Sequence, residues 1–327
     1  MNTGHKISIV MYHYVRNLEN SRYPEIKGLD LALFEEQVAY LDRHYQVITM
    51  EDLIGALSSD SELPPKAALL TFDDAYIDHY EGVFPVLQKF KMQGSFFPPV
   101  KAITEHQVLD VNKIHFLLAS VPDKEKIISD IFEQLNGHRE EYQLESNDHY
   151  FDKLAIASRF DPKEVIFIKR LLQRGLPEEL RNIITNILFR KYVSSDESAF
   201  SRELYSNVDQ MAEMKSSGMH FGSHGFDHYW LGSLSRDEQE KEISKSLEFM
   251  KSVGLNLDSW TMCYPYGSFN ADTVSILKEK GCELALTTRI DVANLKTDNR
   301  FELPRLDTND IPKQRDAAVN DWYHKAD

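Results

Sequence analysis

The sequence predicts an α/β fold in which parallel βαβ units close into a sheet or barrel, with a helical insertion in one connecting loop. Three observations lead there. Short apolar or β-branched segments alternate with segments of helical period, the pattern of parallel strands joined by crossover helices. The polar residues that stand out are His13, Asp73, Asp74, His224, Tyr266 and Arg305, and each falls at or just past the C-terminal end of an apolar segment. In a β/α barrel those ends converge on one face, so residues far apart in sequence can form one constellation. Between about residues 105 and 205 the alternation stops and charged helical stretches such as KEVIFIKRLLQRGL take over.

In chain order, KISIVMYH (6–13) reads as the first strand. In LDLALFEEQVAYLDRHY (29–45), Leu31, Phe34, Val38 and Leu41 recur at helical spacing, and YQVIT (45–49) reads as a second strand. Glu51 to Leu57 is expected as a short helix, and Pro64-Pro65 marks a loop. KAALLTF (66–72) is a strand followed by a helix from about Tyr80 to Met92. GSFFP (94–98), MHFGS (219–223), TMCYP (261–265), ELALTT (283–288) and FELPRL (301–306) are further strands, with helices at Glu238 to Ser252 and Ala271 to Lys280. The expected organisation is a barrel from 1–104 and 206–327 around a helical insertion at 105–205.

Composition narrows the function classes. A net charge of −15 over 327 residues gives no electrostatic support for binding nucleic acid. Two cysteines, Cys263 and Cys282, are too few for a disulfide framework or a thiolate zinc cluster. The N-terminal apolar stretch, Ile7 to Met11, falls short of the about 7–15 residues of an export signal and the ~20 of a membrane span. A cytoplasmic location without a membrane span is expected.

The stretch LLTFDDAYIDHY (69–80) sets Asp73 and Asp74 directly after a buried run. Ionised carboxylates avoid apolar surroundings unless something pairs with them. One aspartate is accounted for as a helix cap; two suggest that one ligates a metal while the other moves a proton. FGSHGFDHYWL carries His224 and His228 beside Gly222 and Gly225. Two imidazoles and a carboxylate make a ligand set of catalytic zinc, and nickel or cobalt accept it too. A His-x3-His pair alone is more often a pair of surface histidines; combined with the Asp-Asp pair, the metal is favoured.

TFDD (71–74), SHGFDH (223–228) and YPYG (264–267), in that order and preceded by MYHYV (11–15), resemble the polysaccharide deacetylase family. This is the NodB-homology, or carbohydrate esterase 4, family, and the likeness is to its poly-N-acetylglucosamine deacetylase-like branch. It covers roughly 1–100 and 205–307. The resemblance implies a distorted (β/α) barrel of about seven strands. It implies Asp73 as general base, Asp74, His224 and His228 as metal ligands, His13 as general acid, and Tyr266 offering its backbone N–H to the oxyanion. The implied activity is metal-dependent removal of an N-acetyl group from an amino sugar. A cytoplasmic address points to a polysaccharide or lipopolysaccharide precursor. A carbohydrate-binding pseudoenzyme and a barrel hydrolase of another amide are the alternatives.

Three departures from the family pattern stand out. Ala75 follows TFDD where many relatives have Gly, and Cys263 stands where many carry the arginine that orients the catalytic aspartate. The late Leu-x-x-His motif is missing, consistent with His13 in its place. Arg305, which ends another strand, is the candidate to reach Asp73 from a different side. Tyr14 and Trp230 are candidates to stack on sugar faces.

Overall fold

The computed structural model describes residues 3–158 and 161–326. The chain divides into two compact units, one from 1–17, 28–105 and 202–327, the other from 18–27 and 106–201. No helix among the described residues is long and apolar enough to cross a membrane.

The larger unit is a closed ring of parallel strands: β1 (Lys6–Tyr12), β2 (Ala67–Asp73), β3 (Gly94–Phe97), β4 (His220–Phe221), β5 (Thr261–Cys263), β6 (Leu284–Leu286) and β7 (Leu306–Asp307). β1 pairs with β2 along Ile7–Tyr12, β2 with β3, and β3 with β4. A bridge from Ser223 to Met262 carries the ring to β5, which pairs with β6. A second bridge, Leu286 to Leu303, leads to β7, and β7 closes on β1. This is the distorted barrel of about seven strands. The distortion lies in β4 and β7, which hold only two residues each.

Three expected elements differ, among them FELPRL (301–306), which is a strand only at Leu306–Asp307 with a lone bridge at Leu303. YQVIT contracts to Gln46–Val47, a short addition beside β2 outside the ring. The helix after the Asp pair opens as a wide turn over His79–Val83 and becomes α-helical only at Phe84–Phe90, with Pro85 in its first turn. Proline lacks the N–H that an interior helical position needs but fits a first turn.

Alternation explains what each strand does. Ile7, Ile9, Ala67, Leu69, Phe97, Cys263, Leu284, Leu286 and Leu303 form one buried cluster. Val10, Tyr12, Leu70, Phe72 and Phe96 pack in another with Phe34, Val38, Leu41 and Leu87 of the covering helices. Successive side chains on a strand point to opposite faces. In β2, Leu69 therefore shares its side with Thr71 and Asp73, which puts a carboxylate at the top of an apolar interior.

Four helices of this unit begin at a side-chain cap. Asp30 accepts the Ala32 N–H at the start of α1 (Leu31–His44). Reciprocal capping boxes start α2 (Met50–Ser59) at Thr49/Asp52, α3 (Val208–Ser216) at Asn207/Gln210 and α4 (Arg236–Ser252) at Ser235/Glu238. The smaller unit is helical, and its core gathers Ile114, Leu117, Ile131, Leu135, Phe167, Ile168, Leu171, Leu180, Ile184 and Leu188. It also takes in residues 18–27: the Tyr23 ring sits edge-on to Phe116 at 4.9 Å, and Lys27 and Lys169 share Asp161.

Gly222 lies where strands crowd: a Cβ there would come within 2.4 Å of the Phe97 ring and 2.5 Å of Thr261 Oγ1. Gly222→Ala is expected to destabilise the fold by about 1–3 kcal/mol, read from denaturant unfolding; an unchanged midpoint would show that the contact relaxes freely.

Candidate active site

Asp73 ends β2 facing the interior, 1% exposed. Such a charge needs a partner, and Arg305, itself fully buried, supplies one. Its guanidinium donates to Asp73 through both terminal nitrogens, at 3.0 Å to Oδ1 and 2.8 Å to Oδ2. Two further donors are held by Thr71 Oγ1 at 3.2 Å and the Thr287 carbonyl at 2.8 Å. A two-pronged contact fixes the plane of the carboxylate as well as its position. Cys263 adds an S–H donor 3.4 Å from Asp73 Oδ2. Burial pushes the Asp73 carboxyl up, but the charges of Arg305, His224 and His13 outweigh it and bring it down to about 2.

Asp74 faces the other way. Its backbone is left-handed at φ 75°, as is Ala75 at φ 53°. This is the conformation for which Gly is favoured, and Ala75 adopts it with its Cβ in place. The turn aims Asp74 Oδ1 at His224 Nε2, 3.5 Å away, and His228 Nε2, 3.3 Å away. All three side chains are buried. His224 is oriented by a 2.7 Å bond between its Nδ1 and the Cys263 carbonyl, which leaves Nε2 for the cluster. Burial pushes the Asp74 carboxyl up, but the facing ring nitrogens of His224 and His228 drive it far below its usual range.

The loop carrying the histidines is held from both sides. Glu242 of α4 accepts from the Phe226 and Asp227 N–H groups at 3.2 and 2.8 Å. The Val100 and Lys101 N–H groups donate to the Gly225 and Phe226 carbonyls, and Lys101 pairs with Asp227. His228 sits at φ 58°, a strained value that these bonds sustain. Nothing in the local pattern marked Glu242; its sign in hindsight is a carboxylate on the apolar face that also carries Ile243 and Ser246.

The residues fit a divalent cation. Asp74 Oδ1 is buried and makes no hydrogen bond among the described residues, and one ligand atom each from Asp74, His224 and His228 lies within 4.8 Å of the others. A carboxylate and two imidazoles leave coordination positions open. Asp73, His224 and Cys263 also lie close together, but both Asp73 oxygens are engaged by Arg305, whose charge repels a cation. Burial also raises the pKa of the Cys263 thiol, so that trio is the poorer ligand set.

The other expected site residues fall in different places. His13 follows β1 with Nε2 3.8 Å from Asp73 Oδ2 and a side chain 43% exposed. Tyr266 occupies a left-handed turn at φ 57°, its ring 4.6 Å from that of His228 and stacked on Trp230 at 4.4 Å. Tyr14 does not present a face for a sugar. It is 3% exposed, stacked on Tyr76 at 4.0 Å with Arg16 5.0 Å from the ring centroid; the packing that buries it replaces the expected stacking role.

Residues 189–285 match the family model described as polysaccharide deacetylase, a range that contains His224, His228 and Tyr266. A putative polysaccharide deacetylase of Bacillus subtilis, YxkH, is 21% identical over 290 residues, 88% of this chain and 67% of that protein. The poly-beta-1,6-N-acetyl-D-glucosamine N-deacetylase of Escherichia coli is 39% identical over 68 residues, 20% of this chain and 10% of that enzyme. Among solved structures, the deacetylase PplD of Streptococcus pyogenes, in complex with acetate, superposes with a TM-score of 0.56 at 20% identity over 93% of each chain. IcaB from Ammonifex degensii gives 0.56 at 18% identity over 99% of this chain and 96% of that one. At these identities the structural likeness speaks for the fold.

His79 supports the site from beneath, donating from Nε2 to the His13 carbonyl at 2.8 Å. Burial pushes its imidazole down to about 4, against the pull of that bond and of Asp74. The unfolded chain takes a proton near pH 6.5 that the folded protein refuses until about pH 4. The stability tied to His79 is thus complete above pH 6.5 and is lost as pH falls toward 4, by roughly 3 kcal/mol. His79→Gln should flatten the decline in urea stability between pH 7 and 4.5; an unaltered slope would mean that His79 does not set it.

Proposed function

We propose that the chain is a member of the polysaccharide deacetylase family, which the match of residues 189–285 and the likeness to YxkH support, and that it is a metal-dependent hydrolase removing an N-acetyl group from an amino sugar of a polysaccharide or lipopolysaccharide precursor. The observation that carries the proposal is the division of labour between two adjacent buried carboxylates. Asp74 turns one oxygen toward His224 and His228, while Asp73 is held apart by Arg305.

Asp74, His224 and His228 hold a divalent cation, zinc in the first instance with nickel or cobalt also suited to the donors. Such an ion supplies Lewis acidity for the amide carbonyl and a lowered pKa for water. Asp73 accepts a proton from the attacking water. The charge of Arg305 holds it ionised near neutral pH, and Arg305 sets its orientation through the two-pronged contact. That geometry favours an active enzyme over a carbohydrate-binding pseudoenzyme, because Arg305 does what the family's arginine at position 263 would do.

His13 delivers a proton to the departing amine. Its side chain is the more exposed of the pair it forms with Asp73, as an acid that meets substrate must be. The bond from His79 to the His13 carbonyl anchors its backbone. Base and acid then differ in type, a carboxylate and an imidazole. The Tyr266 N–H, in its strained turn after Pro265, is the backbone donor for the tetrahedral oxyanion. The neighbouring Trp230–Tyr266 stack offers an aromatic surface for a sugar ring.

Acetate release from oligomers of β-1,6-linked N-acetylglucosamine tests the reaction. The wild type should release acetate, lose that activity to a chelator and regain it with zinc. Asp73→Asn should keep wild-type zinc content while hydrolysis is abolished; loss of zinc instead would reverse the roles of the two aspartates. His13→Ala should lower kcat by ~10²–10⁴-fold without loss of zinc, and an unchanged kcat would remove it as the acid.

A further inference from the structure

Asp74 has two oxygens, and only one of them points at the histidines. The other, Oδ2, accepts a hydrogen bond from the Tyr76 hydroxyl at 2.7 Å. Tyr76 is fully buried, two residues along the chain, beyond the left-handed pair Asp74–Ala75. The segment is clamped where the chain returns at Tyr205 and Ser206. Tyr76 bridges Tyr205, the Ser206 N–H donates to the Ala75 carbonyl at 2.9 Å, and Ser206 Oγ donates to the Tyr76 carbonyl at 3.0 Å. The Tyr76 ring is stacked between Tyr14 at 4.0 Å and Tyr205 at 6.2 Å.

Tyr14 also hydrogen-bonds Tyr76. An ionised carboxylate only accepts, so the Tyr76 proton is committed to Asp74 and its oxygen is left to accept from Tyr14. The result is a chain of two hydroxyls ending on the oxygen of Asp74 that faces away from His224 and His228. This gives Tyr14, which does not serve as a sugar platform, a place in the site.

We propose that Tyr76 is a positioning residue that makes Asp74 a one-oxygen metal ligand, with Tyr14 supporting its hydroxyl from behind. The inference rests on the reading of Asp74, His224 and His228 as the metal site. Holding Oδ2 in a hydrogen bond orients Oδ1 toward the two imidazoles and keeps the carboxylate from closing on the ion with both oxygens. That preserves open positions for water and substrate. Partners of this kind around ligating groups typically change metal affinity by about 10–100-fold when removed.

The test is zinc affinity of the apo-protein by competition with a chromophoric chelator, together with the visible absorption spectrum after loading with cobalt(II). Tyr76→Phe keeps the ring stacks and removes only the hydroxyl. It is expected to weaken zinc binding about 10–100-fold and to lower the intensity of the cobalt bands, because Asp74 freed at Oδ2 raises the coordination number. Tyr14→Phe should shift both readings in the same direction by less, and it serves if Tyr76→Phe fails to fold. Wild-type affinity together with a wild-type cobalt spectrum in Tyr76→Phe, or in Tyr14→Phe if that is the variant that folds, overturns the inference. A wild type that binds no zinc, or an Asp74→Ala variant that binds it undiminished, overturns the metal site itself, a different and separable failure.

Discussion

A buried ion pair, Arg305 on Asp73, is the contact on which the rest of the site depends. Two carboxylates on consecutive residues, 1% and 3% exposed, repel each other and are poorly tolerated in an apolar interior. The guanidinium takes both oxygens of one of them and is itself fixed by Thr71 and Thr287. Asp73 is thereby neutralised as a charge and withdrawn as a metal ligand, and Asp74 alone turns to His224 and His228. Breaking such a pair by removing one partner strands the other charge, at a cost of about 3–5 kcal/mol. Stability and chemistry here draw on the same contact.

Backbone strain gathers around that pair. Asp74, Ala75, His228 and Tyr266 all hold left-handed φ values without being glycine, each costing of order 1–3 kcal/mol. The surrounding bonds explain how the strain persists. Ser206 clamps the turn after β2, and Glu242 with the Val100 and Lys101 amides grips the histidine loop. Side chains are thus aimed by backbone that few sequences would adopt unassisted, and the scaffold supplies the rigidity that a preorganised site requires.

Much of this was legible in the sequence, and for identifiable reasons. Parallel strands announce themselves as apolar runs, and polar residues at their C-terminal ends converge by the geometry of a barrel. His13, Asp73, Asp74, His224 and Arg305 come together on that rule. Arg305 was within reach because LPRL ends an apolar segment and Cys263 left Asp73 in need of a partner. Other features lie in tertiary contacts that no local pattern carries. Tyr14 looks like an available aromatic beside a catalytic strand, yet Tyr76 and Arg16 cover its ring. Residues 18–27 fold with the helical unit through Tyr23 and Lys27, although they interrupt the first βα connection. The short β4 and β7 are held by single bridges on one side, too little pairing for a periodic signal.

The most direct measurement is a crystal structure of the zinc-loaded protein with anomalous scattering collected at the zinc edge. The expected result is one peak about 2.0–2.2 Å from Asp74 Oδ1 and from Nε2 of His224 and His228, with both Asp73 oxygens still on Arg305. A peak bound by Asp73, or one among Asp73, His224 and Cys263, would contradict it.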